Sequence, residues 1–402
     1  MAFPIKWFSS AMAPTLLLST GSAGAAHTVT PGSLISVLKA CLVTGFGIKT
    51  VSAINYDAAT AKIVLTIPSG HTYQQYQVIE ISGANESGFN GQFRVMKVTT
   101  TTVECALDNG IPSASAATGS LSAKIPGLGW VVEFEDAATY RCIFKRSDAS
   151  ATDYRMLIDN SAWAGWNSAS GHLAKAITIY NVTDINTYTV ASEDRIPCSH
   201  NYATPNWWLV GSSKFVYFIP KFAAAGQRGV YAWGDFPSRR PGDKHNLLIN
   251  MHYTKTSDGV SWANAWMGPY NDFCVLGSTL HKSIARSYTQ LPTGGVAGVA
   301  AKFVADNPGG YMGYGFPIAA IPVNPADNGF VFNSQVKLFD DGSWRGYVPG
   351  LRNPYSSPLG YDGKVLVGLN GDMTLCLLVS IQSNGGGNSG VSLIGFDIVG
   401  PW

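Results

Sequence analysis

Short runs in which apolar and polar residues alternate recur along this chain, and they leave little room for a helical architecture. "TAKIVLTI" (60–67), "YQVIEIS" (76–82), "QFRVMKVT" (92–99) and "TVECAL" (102–107) all follow that pattern. A period of two puts one face of a strand in a core and the other in water. Turn formers separate the runs, as "PSGH", "GANESGFNG" and "DNGIPSASAATG". Asn90-Gly91 is a tight-turn signal just before the strand that starts at 92. These features predict a small antiparallel barrel or sandwich over residues 49–125.

Beyond residue 128 the chain stays strand-like, in "GWVVEFED", "YRCIFKR", "YRMLIDN", "AITIYNV", "KFVYFIP", "NLLINMHY", "GFVFNSQVKLF", "KVLVGLN" and "TLCLLVSI". Gly, Pro, Asn and Asp lie between these runs, so residues 126–402 predict an antiparallel β-sandwich with long decorated loops. No fixed-period repeat points to a propeller or solenoid. The composition of "SNGGGNSG" (383–390) predicts a flexible loop.

One segment has helical spacing. In residues 31–47, Leu34, Val37, Leu38, Cys41 and Leu42 form a single apolar stripe. Ser33 is placed to cap its start and Gly45 to end it. The fold class expected is therefore all-β: a main sandwich, one short N-terminal helix (31–48) and a small inserted module.

Charged residues make up only 13% of the chain, about half the typical ~25%. A lone soluble protein keeps more charge outside, so this composition fits a surface partly covered by neighbours. A net charge of +2 argues against a nucleic-acid partner. The six cysteines are scattered, without a CxxC pair or clustered histidines, so no zinc site or other metal is expected. Cys41, Cys105, Cys142 and Cys376 sit in apolar stretches and read as buried free thiols of a chain folded in a reducing cytoplasm. No run approaches the ~18 apolar residues of a membrane span. Residues 1–30 carry a Lys, a broken apolar stretch and small residues. They read as an uncleaved, ordered arm that reaches onto a neighbour.

Several segments resemble a family of tailed-bacteriophage virion structural proteins. "GSLISVLKACLVTGFG" looks like that family's N-terminal helix. "GHTYQQYQVIEISGANESGFNGQFRVMKVTTTTVECAL" looks like a small β module of phage tail and appendage proteins. "LGWVVEFEDAATYRCIF", "YAWGDFPSRRPGD", "IARSYTQL", "VNPADNGFVF", "WRGYVPGLRNP" and the terminal "DIVGPW" are similar to further family segments, in the same order. The resemblance implies a non-enzymatic assembly component of the tail, baseplate, neck or head. It would be a symmetric oligomer assembled in the host bacterial cytoplasm and bound to other virion proteins. It implies no cofactor and no catalytic residue.

The most crowded chemistry lies in "YAWGDFPSRRPGDKH" (231–245). A hydrolase could use Asp235 or Asp243 with His245, but no nucleophile motif accompanies them. Pro237, Pro241 and Gly242 make this turn chemistry. Asp235 or Asp243 paired with Arg239 or Arg240 would brace the turn, and a salt bridge between subunits or an anion contact is the alternative. Glu133 and Glu135, two apart on a strand, should share one face, as a solvated face or as glycosidase-like acids. Asp340-Asp341-Gly342 reads as a hairpin turn with a weaker calcium reading. His71 reads as a turn hydrogen bond. Of the neighbours Trp207 and Trp208, at least one belongs to the core. Trp163, Trp166, Trp262, Trp266 and Tyr270 lie on loops, as interface or core groups or as platforms for host surface glycan. The glycan reading gives a second function, a receptor-binding adhesin. A polysaccharide-degrading enzyme using Glu133 or Asp235 is a third.

Overall fold

The computed structural model describes residues 3–16, 18–20, 31–107, 110, 112–161, 172–200, 206–220, 228, 230–240, 243–249, 282–287, 295–304, 337–340, 343–352, 361–369, 373–382 and 391–402. These residues are mostly strand, arranged in several antiparallel sheets with a single short α-helix. The all-β class read from the alternating runs is the one observed.

The helix Ser33–Lys39 buries Leu34, Val37 and Leu38, and the stripe continues through Cys41 and Leu42 in a wider π turn, Ala40–Thr44. Gly45 ends it with φ 72, and a Cβ there would lie 2.2 Å from the Ile125 carbonyl oxygen, so only glycine fits. Ser33 does not cap the start. It is already inside the helix and buried, behind Gly32 at φ 81. Asn160 accepts the Leu34 N–H through its side-chain oxygen at 3.2 Å, so a residue far along the chain does what a cap would do.

The module is one sheet of seven strands. Their order is Phe46–Thr50, Gly119–Ile125, Val78–Ala84, Gly91–Val98, Thr102–Ala106, Lys62–Thr66 and Ala53–Asp57. Alternation is direct in Lys62–Thr66, where Ile63 and Leu65 are fully buried between half-exposed neighbours. The sheet curls until its last strand, Ala53–Asp57, reaches the segment that leads into Gly119–Ile125. Tyr56 N–H donates to the Ser115 carbonyl at 2.8 Å and Ala117 N–H to that of Ile54 at 2.9 Å. No continuous ladder closes it, so it is a curled sheet, not a closed barrel. The tight turn signalled by Asn90-Gly91 is present and closes on Asn90, whose N–H donates to the Ser87 carbonyl at 3.1 Å. The connection is a 3-10 turn, Ser87–Phe89, and the Asn90 side chain bonds both the N–H and the carbonyl of Ala84, at 3.0 and 2.7 Å.

The body has three layers where the sequence suggested a two-layer sandwich. The central sheet runs Lys6–Ser9, Trp207–Gly211, Phe215–Pro220, Tyr231–Asp235, Lys244–Ile249, Lys282–Ser287, Gly295–Val304, Lys337–Asp340 and Ser343–Tyr347. A flanking sheet holds Trp130–Asp136, Arg141–Arg146, Arg155–Asp159, His172–Tyr180, Thr189–His200 and, in parallel, Ser19–Thr20. A third sheet holds Leu351–Arg352, Val391–Asp397, Met373–Gln382 and Val365–Leu369. The reason is visible in Phe215–Pro220, which is buried at all six positions. A strand without alternation needs cover on both faces. Val216 and Phe218 meet Met156, Ala176 and Ile196 of the flanking sheet around a small apolar cavity. Tyr217 faces the other way, 4.9 Å from Phe396 of the third sheet.

Residues 3–16 depart from the expected arm, being built into their own chain. Lys6–Ser9 pairs antiparallel with Trp207–Gly211, and Trp7 and Phe8 are buried. The segment also bonds the module. Trp7 donates its indole N–H to the Tyr76 carbonyl at 3.2 Å, and the Thr72 hydroxyl donates to that of Met12 at 2.7 Å. Residues 21–30 lie outside the described residues. One continuous hydrophobic core runs through module and body. No described helix is long and apolar enough to cross a membrane.

Candidate functional site

Asp235 ends the strand Tyr231–Asp235, and Arg146 ends the flanking strand Arg141–Arg146. Where these layers touch, Arg146 Nη1 donates to Asp235 Oδ1 at 2.6 Å, with the arginine side chain fully buried. Its Nη2 donates to the carbonyls of Thr152 and Tyr154, both at 2.8 Å. Thr152 gives its N–H to Asp235 Oδ2 at 2.6 Å and its hydroxyl to Oδ1 at 2.6 Å. The guanidinium also lies 4.5 Å from the Trp233 ring centroid. Trp233 packs edge-on to Trp130 at 5.5 Å and donates its N–H to Thr178 Oγ1 at 2.9 Å. Burial pulls the Arg146 guanidinium down in pKa, while Asp235 opposes it.

This arrangement is a clamp between two sheets. Both Asp235 oxygens already accept fixed donors, so the carboxylate is poorly placed to take a proton from a substrate. The pairing differs from the expected one. Arg239 and Arg240 hold neither Asp235 nor Asp243. Asp243 lies 3.8 Å from His245 Nε2, and that ring stacks on Phe236 at 5.5 Å. Arg239 lies over the ring of Trp344 instead, at 4.3 Å.

Glu133 and Glu135 do not act as a pair. A bulge between Val132 and Phe134 breaks the alternation. Glu133 meets Arg155 Nε at 2.8 Å and Lys145 at 3.2 Å, whereas Glu135 meets Lys39 of the helix at 2.6 Å. Arg155 and Lys145 hold the Glu133 carboxyl below its ordinary range against the opposing effect of burial, the largest single influence. Asp340 pairs with Ser343 across a hairpin whose tip, 341–342, lies outside the described residues. Among the described residues no three His, Cys, Asp or Glu side chains gather as metal ligands would.

The histidine of the module fits its expected role. His71 Nδ1 accepts the Tyr73 N–H at 3.2 Å, and Nε2 lies 3.2 Å from the Thr102 carbonyl. That assigns the neutral Nε2–H tautomer, and burial lowers the pKa. Trp207 is fully buried and donates to the Leu16 carbonyl at 2.9 Å. Trp208 is half-buried and stacks on Trp7 at 5.7 Å. Cys41, Cys105, Cys142 and Cys376 are free and buried, and burial pushes Cys142 and Cys376 up to about 12. Trp163, Trp166, Trp262, Trp266 and Tyr270 lie outside the described residues, as do Pro241, Gly242 and Asp341.

Sequence reasoning missed a convergence of three segments. Ser238 bridges Gly346, and the Arg239 N–H donates to the Arg345 carbonyl at 2.8 Å. Tyr217 donates its hydroxyl to the Pro349 carbonyl at 2.6 Å. Trp402 packs edge-on to Tyr217 at 5.7 Å and so close to Gly350 that a Cβ there would be 2.1 Å from the indole. "YAWGDFPS", "WRGYVPG" and "DIVGPW" therefore meet in one place. Arg94 joins the module to it, donating to the carbonyls of Tyr76 and Ile398 at 3.1 and 3.2 Å, with Phe3 stacked at 4.9 Å.

No family model matches the chain, and no curated protein matches it. Among solved structures, a Phage phi92 endosialidase chain is similar at 8% identity, over 89% of this chain and 52% of that one. This chain thus spans about half that chain's length. The TM-score is 0.13, too low to indicate a shared fold.

Proposed function

We propose that this protein is a structural component of a tailed-bacteriophage particle and works as a rigid building block. The observation that carries the reading is the convergence around Tyr217. Three of the segments that resemble the virion family border it: Ala232 pairs with Tyr217, Ser238 bridges Gly346, and Trp402 packs on both Tyr217 and Gly350, where a side chain has no room. In this reading those segments serve mutual fit. The buried Arg146–Asp235 clamp fits the same role, because it locks layers and leaves the carboxylate engaged. Low overall charge suits a chain whose surface is shared with neighbours. The particle would supply symmetry that multiplies each contact.

The test is composition of purified particles. Density-gradient particles from a lysate that encodes this chain should contain it at a fixed multiple of the major tail protein. Its absence from infectious particles would remove the proposal.

A further inference from the structure

Two arginines on the turn after Tyr231–Asp235 stand apart from the others. Arg141 holds the Ile185 carbonyl and Asn186, Arg155 holds Glu133, Arg195 holds Glu193, and Arg228 holds Asp362. Arg239 and Arg240 are exposed, and among the described residues neither side chain has an ion pair or hydrogen bond. Their backbone is nonetheless fixed. The Arg239 N–H donates to the Arg345 carbonyl at 2.8 Å and the Arg240 N–H to Ser238 Oγ at 3.2 Å. The Arg240 carbonyl accepts from Asp243 N–H at 3.2 Å. The Arg239 guanidinium lies 4.3 Å from the Trp344 ring centroid, which fixes its position and leaves its N–H edge open to solvent.

We propose that Arg239 and Arg240 form a docking surface for an acidic segment of another protein, whose Asp or Glu carboxylates engage the two guanidinium groups. A guanidinium held in place offers two parallel N–H donors to a carboxylate at small entropic cost. A glycan fits less well. A sugar stacks on an open aromatic face, whereas Arg239 and Lys337 lie over the Trp344 ring and Tyr347 meets it edge-on at 5.4 Å. Among the described residues every carboxylate side chain is already engaged in an ion pair or a local turn, so none of these stands ready in a second copy to serve as that acidic segment. The surface stands on its own geometry, whether or not the chain belongs to a particle.

The probe is immobilised poly-L-glutamate, with hyaluronate as the glycan arm and full-length protein as analyte. Wild type should bind poly-L-glutamate, and R239A/R240A should weaken this about tenfold or more. K49A/K97A removes equal charge elsewhere and should leave binding unchanged. R239E/R240E should transfer preference to poly-L-lysine. R240A alone, at an exposed side chain without a partner, should keep the wild-type melting midpoint and still weaken binding, which separates docking from folding. Unchanged binding in R239A/R240A, an equal loss in K49A/K97A, or tighter binding to hyaluronate would each overturn the proposal. So would an oligomer of the wild type that R239A/R240A dissolves, because the partner would then be a second copy.

Discussion

Arg146 shows how one residue can hold two layers together. Its charge is desolvated, and three carbonyl or carboxylate partners plus a ring compensate. Arg146→Ala leaves the part-buried Asp235 without its cation and should cost about 3 kcal/mol in chemical denaturation. The paired replacement R146M/D235N should recover part of that loss, because neither charge is then left alone. Lys6 makes a pH prediction. Burial lowers its pKa from 10.5 to about 8, with Glu80 opposing. Between those values the unfolded chain binds more protons than the folded one, so stability rises with pH. The buried cysteines, raised from their ordinary 9.0, act in the opposite direction as the unfolded thiols ionise, so the Lys6 contribution is read as a difference between wild type and K6M. In chemical denaturation, the stability of wild type minus that of K6M should rise between about pH 8 and 10.5. Asp235 was visible in the sequence as a chemical group in a crowded turn. Arg146 was not, because the two lie 89 positions apart and nothing local to either marks the other.

Two hairpins use one local rule. "DAAT" occurs at 57–60 and 136–139. In each the Asp accepts the N–H two residues on and the Thr hydroxyl. A residue at positive φ follows, Ala61 at 51° or Tyr140 at 55°, and then a basic residue pairs with the Asp, Lys62 or Arg141. The repeat is legible in the sequence once its geometry is known, since an Asp side chain can stand in for a backbone turn. Ala61 pays a strain that glycine avoids, so Ala61→Gly should raise stability by up to about 1 kcal/mol in chemical denaturation. Gly45→Ala should do the opposite. Its Cβ would overlap the Ile125 carbonyl, and the variant should fail to accumulate as folded protein on gel filtration. The helix stripe was legible because burial imposes its period. Its cap was not, because Asn160 reaches Leu34 across tertiary structure.

At the scale of the whole molecule, strand class was readable and layer number was not. Alternation identifies half-buried strands, but Phe215–Pro220 needed both of its covering sheets to be understood. The N-terminal segment was misread for a related reason. It reads as an arm reaching onto a neighbour, yet residues 3–16 lie on Trp207–Gly211 of the same chain and on the loop at Thr72–Tyr76. Trp7→Ala should therefore cost about 3–5 kcal/mol in the isolated protein, with no particle present. Arg94→Ala removes the donor shared by Tyr76 and Ile398, so hydrogen exchange should quicken on both sides of the seam between module and body.

As a particle component, the function proposed above, the chain would keep its module docked on its body in every copy. Cryo-electron microscopy of intact particles, with this chain traced, tests it most directly. The expected result is symmetric copies in which Lys6–Ser9 forms the edge of the central sheet, Trp7 meets the module at Tyr76, and Trp402 packs on Gly350. Particles without density for the chain, or copies in which the module has swung away from Trp7 and Arg94, would contradict it.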